Sequence, residues 1–100
     1  MTKHIILWKL KEDFSAGELL EIKKGIKENL ESLLGKIPGL LEIKVENIGL
    51  SSSNCDLMLY SVFENEEALK NYSSHPEHQR VANTFVRPFT EKRSCFDFNE

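Results

Sequence analysis

At 100 residues, with 40% apolar and 29% charged side chains, the chain has the size and balance of one folded domain, which excludes a disordered segment or a two-domain protein. A net charge of −3, with no basic cluster beyond Lys23-Lys24 and Lys92-Arg93, argues against nucleic acid, and no apolar run approaches membrane-spanning length. No secretory signal is read at the start of the chain, so Cys55 and Cys95 are expected as reduced thiols in a cytoplasmic protein.

Lys3–Lys11 is rich in β-favouring residues and apolar on both parities, so it is expected as a strand covered on both faces. One parity carries His4, Ile6, Trp8 and Leu10, and the other carries Ile5, Leu7 and Lys9. Ser15 and Glu18 have the spacing of a capping box. After them Leu19, Ile22, Ile26, Leu30, Leu33 and Leu34 recur at helical spacing, which predicts a long amphipathic helix stopped by Gly35. Leu41, Ile43 and Val45 alternate with charged residues, the pattern of a strand with one wet face.

A turn through Gly49 and Ser51–Asn54 leads to a third predicted strand, Cys55–Phe63, again apolar on both parities. Met58, Tyr60 and Val62, opened by Asp56, are assigned to the helix-facing side, and Leu57 and Leu59 to the open side. Asn65 is placed to cap a helix carrying Ala68, Leu69 and Tyr72. A second short helix carries Val81, Ala82 and Phe85 to the Arg87-Pro88 pair, and Ser94–Phe98 is the last strand.

The order is β-α-β-β-α-β: an α+β, ferredoxin-like fold with a four-stranded antiparallel sheet and helices on one face. The first and third strands are apolar on both faces, so the open face needs a cover. A second copy of the same sheet is the simplest one, and Ile5, Leu7, Leu57 and Leu59 are the expected contacts of a homodimer.

The chemistry concentrates in Tyr72-Ser73-Ser74-His75-Pro76-Glu77-His78. Proline cannot continue a helix but favours the first position of a new one, so His75 is read as a cap and His78 as a first-turn residue. There the positive end of the helix disfavours imidazolium and leaves a neutral ring, the state that a general base needs. Tyr72 closes the preceding helix and brings a phenol to the same kink. A plain interhelical corner with two solvated histidines fits the same spacing.

Several motifs occur together and in order: Lys3–Lys11, Ile37-Pro38-Gly39, Asp56–Tyr60, His75-Pro76-Glu77-His78 and Arg87-Pro88-Phe89. In this combination the chain resembles the stress-responsive A/B barrel (Dabb) domain over nearly its whole length, residues 1–100 forming one such domain. The resemblance implies a dimeric α+β barrel of two packed four-stranded sheets. Many family members have no assigned activity. One plant branch, olivetolic acid cyclase, closes a linear polyketide by aldol chemistry; its catalytic histidine and tyrosine match His78 and Tyr72, and an accessory histidine matches His4. Two departures stand out. Asp56 replaces a pocket histidine, and Thr90 and Arg93 fall near residues that line the acyl pocket. Asp56 and Arg93 would therefore select a polar, anionic substrate over an alkyl-tailed one.

His4 and Asp56 are expected as hydrogen-bonded neighbours, either an imidazole oriented by a carboxylate or a buried pair that fixes register. Trp8, Tyr60, Arg93 and His75 complete the expected binding set, with Trp8 on an inward parity read by default as core, or else as a pocket wall. His75 and His78 splay too far apart for a metal, so neither metal nor cofactor is expected. Three roles follow: a non-catalytic homodimer binding a small molecule or partner, a lyase or cyclase using Tyr72 and His78, and, by fold analogy alone, a monooxygenase.

Overall fold

The computed structural model describes residues 1–100. Strand β1 spans Thr2–Leu10, helix α1 Ala16–Glu31, β2 Leu40–Glu46, β3 Leu57–Phe63, α2 Glu66–Ser74, α3 Pro76–Val81 and β4 Thr90–Asn99. All strand pairs are antiparallel, in the order β2-β3-β1-β4, which is the ferredoxin-like sheet. The helices cover one face. Sixteen buried apolar residues from the sheet, α1 and the α2–α3 region form one core cluster.

The expected start signals operate as read. The Ser15 hydroxyl accepts from the Glu18 N–H at 3.2 Å, and the Glu18 carboxylate accepts from the Ser15 N–H at 2.9 Å. Helix α1 ends at Glu31, short of the expected Leu34, because the N–H groups of Leu33 and Leu34 turn to the tighter i−3 carbonyls. Gly39, at φ +83°, then brings the chain so close to α2 that a Cβ would sit 2.6 Å from that of Ala68. β2 lies at the sheet edge, and α1 occupies its free backbone groups: the Lys27 ammonium donates to the Val45 carbonyl at 2.7 Å, and the Glu31 carboxylate accepts from the Val45 N–H at 2.9 Å.

Two readings of the strands are corrected. In β3 the helix-facing residues are Leu57, Leu59, Ser61 and Phe63, with Leu57 and Leu59 each 2% exposed. Asp56, Met58 and Tyr60 therefore do not share a face with His4, and Leu57 and Leu59 are not dimer contacts. The pairing settles it: Trp8 opposes Leu57, Ile6 opposes Leu59 and His4 opposes Ser61. A strand apolar on both parities offers no pattern by which to choose between them. In addition, β4 begins at Thr90, four residues before Ser94, since an edge strand accepts the polar run Glu91-Lys92-Arg93. The open face thus carries Ile5, Leu7, Met58, Tyr60, Phe96 and Phe98, with Leu7 38% and Phe96 70% exposed.

Beyond α3 the helix widens into a π-type turn over Ala82–Val86 and a short 3-10 turn over Arg87–Phe89. Widened turns of this kind cluster at functional sites. Here Ala82, Val86 and Arg87 form one wall of a cavity between the helices and the sheet.

Candidate active site and ligand pocket

Between the sheet and the α2–α3 corner lies a cavity of about 380 Å³. Tyr72 enters from the last turn of α2, His78 from the first turn of α3, His4 and Trp8 from β1, and Arg93 from β4. His75 makes the corner. Its Nδ1 accepts from the Glu77 N–H at 3.1 Å, and Pro76 opens α3 as expected.

Tyr72 is 1% exposed, and its ring packs against Phe63 at 4.9 Å and His78 at 4.3 Å between centroids. Its hydroxyl is buried without a hydrogen-bond partner. Burial pushes its pKa well above the ordinary tyrosine value, only partly opposed by the Arg93 guanidinium, so the phenol stays protonated and able to donate.

The Nδ1 of His78 lies 3.1 Å from the Ser73 carbonyl. A carbonyl only accepts, so Nδ1 carries the proton and Nε2 keeps its lone pair. The His78 pKa is lowered, mainly by burial; the Ser73 carbonyl raises it, while Arg87, His4 and Arg93 lower it further. The neutral ring anticipated from the helix start thus has burial as its leading cause.

His4 finds a carboxylate, but not the expected one. Its Nδ1 lies 2.5 Å from Asp97 Oδ1 on β4, directly across from it in register. Asp56 instead accepts from the Leu10 N–H at 2.7 Å, where it closes the end of the β1–β3 ladder away from the cavity. Tyr60 lies on the open face, opposite Ile5, with the Lys3 ammonium 5.7 Å from its ring centre. His75, used as a cap, does not line the cavity either.

The cavity therefore gathers Tyr72, His78, His4, Trp8 and Arg93 from the expected set and leaves out Asp56, Tyr60 and His75. Asp97 and Arg87 were missed. Asp97 shares the parity of Cys95, but only the β1–β4 register shows that it meets His4. Arg87 reads in sequence as a helix end, whereas folded it is held over the cavity by the side-chain oxygens of Asn83 and Gln79.

His4, Cys95 and Asp97 place metal-type donor atoms within 4.8 Å of one another. At 2.5 Å, however, His4 and Asp97 are hydrogen-bonded rather than spread around an ion. Cys55 and Cys95 are free thiols.

The sequence profile of the stress responsive A/B barrel domain, Dabb, matches residues 2–100. The chain belongs to this family. The Dabb chain is similar to a dimeric protein of unknown function with a ferredoxin-like fold from Bacteroides fragilis, with 32% identity, a TM-score of 0.92, and coverage of 99% of this chain and 95% of that one. A Dabb family protein from Mesorhizobium loti shares 17% identity at a TM-score of 0.77, covering 99% and 95%. The hydroxynitrile lyase of Passiflora edulis shares 19% at 0.73, covering 97% and 90%. The last two likenesses are of fold alone. No curated protein matches the Dabb chain in sequence.

Proposed function

We propose that this Dabb protein works as a cytoplasmic homodimer that binds a small carbonyl compound in the cavity between sheet and helices. The observation that carries the reading is the buried, unpartnered Tyr72 hydroxyl beside His78 on a cavity of about 380 Å³. A buried donor left unpaired costs about 1–3 kcal/mol, and a ligand oxygen would supply the missing acceptor. The homodimer is supported by the apolar open face and by the dimeric Bacteroides fragilis relative. The cytoplasmic setting accords with the two free thiols.

A second reading, a lyase acting by aldol-type chemistry, is favoured by the protonation states at the same place. His78 Nε2 would take the proton from the carbon beside the carbonyl, and the electron pair would pass to the carbonyl oxygen. Tyr72 would donate its hydrogen bond to that oxygen as the negative charge develops. The imidazolium then gives the proton to the alkoxide left when the enolate carbon has bonded to a second carbonyl carbon. Asp97, bonded to His4 Nδ1, would fix that ring at the cavity wall. The Passiflora edulis neighbour is a lyase, which lends only fold-level support.

Deuterium exchange at the α-carbon of β-keto acids tests both steps. Binding alone leaves exchange at the background rate. Catalysis raises it, and His78→Ala then lowers it by about 10²–10⁴-fold with the fold intact. Equal exchange by wild type and His78→Ala, both above background, would remove His78 as the base.

A further inference from the structure

We propose that the cavity takes a small organic carboxylate, its charged end between Arg87 and Arg93 and its carbonyl toward Tyr72 and His78. The proposal rests on the small-carbonyl reading above and adds the ligand's charge.

Both guanidinium groups line the cavity, and no aspartate or glutamate does. Neither is neutralised elsewhere. Arg80, on α3, pairs with Glu77 at 3.1 Å, but Arg87 and Arg93 form no ion pair. Arg87 is instead held by the amide oxygens of Asn83 and Gln79, which orient the fork without cancelling its charge. On β4, the Asp97 carboxylate is committed to His4.

Both arginines act on the same interior. Each lowers the pKa of His78, and Arg93 also opposes the rise at Tyr72. A chain of net charge −3 thus places unpaired positive charge at the cavity beside Tyr72 and His78, a field that gathers and orients anions. Arg87 and Arg93 are both solvent-exposed, and guanidinium groups match a carboxylate with two parallel N–H bonds that a neutral carbonyl compound cannot accept in the same way.

Calorimetric titration with acetoacetate and with its uncharged methyl ester tests the assignment. The wild-type protein should bind the acid at least about tenfold more tightly than the ester, with a preference that shrinks as salt is raised. Arg93→Gln and Arg87→Gln should each weaken acetoacetate by about tenfold and leave the ester unchanged, with thermal melts confirming that the variants fold. Equal binding of acid and ester, or full acetoacetate affinity in the double variant, overturns the carboxylate assignment while the small-carbonyl reading stands. Binding of neither probe by folded wild-type protein overturns both.

Discussion

The Tyr72 hydroxyl sits where burial holds it protonated and no protein atom accepts its hydrogen. Removing it should therefore cost little: Tyr72→Phe should keep the wild-type thermal midpoint or gain about 1 kcal/mol, while losing affinity for any carbonyl ligand. A marked drop in the midpoint would mean that the hydroxyl is bonded after all. The folded pKa of His78 lies below the ordinary 6.5, so protons favour the unfolded chain. The stability tied to its neutral ring is complete above 6.5 and is lost as pH falls from there through the folded value. Activity that needs the free Nε2 should survive at pH 6.5 and fail only as pH falls through the lower folded value, and His78→Asn should flatten the stability slope in that window. The His-Pro kink was legible in sequence because proline dictates where a helix restarts. Asp97 was not, because its partnership with His4 depends on which residues of two distant strands face each other.

Local chemistry controls the elements wherever a single side chain or a single φ sets it. Gly39 combines a positive φ with close approach to Ala68, so Gly39→Ala should destabilise the fold by about 1–3 kcal/mol in denaturant unfolding. Asn65, whose side chain accepts from the Ala68 N–H at 2.8 Å, should cost about 1 kcal/mol on change to alanine. The caps at Ser15, Asn65 and His75 were readable from residue type. The face of β3 was not. With Leu57, Met58, Leu59 and Tyr60 in succession, either parity makes an apolar stripe, and the choice falls to cross-strand pairing. Leu41 shows a related effect. It alternates properly in sequence, but a bulge between Leu40 and Glu42 turns it outward, leaving it 44% exposed.

At the scale of the whole molecule, the sheet has one face under helices and one apolar face without cover. Burying side chains such as Leu7 and Phe96 contributes about 1.5–3 kcal/mol each, and a two-fold doubles the set. Phe96→Asp should therefore yield a folded monomer in sedimentation at micromolar concentration, whereas Leu57→Asp, which places a charge in the core, should unfold the chain. A wild-type monomer at that concentration would remove the homodimer. The cavity lies on the other side of the sheet, so the proposed assembly and the proposed binding would use opposite faces. The claim that joins residue, element and molecule is that a small carbonyl ligand enters the cavity at Tyr72 and His78. The most direct measurement follows the ring protons of the three histidines by NMR as acetoacetate is added to the native protein. The His78 and His4 signals should shift together and saturably, while His75, engaged as a helix cap, stays in place. A saturable shift at His75 alone, or none at His78, would contradict it.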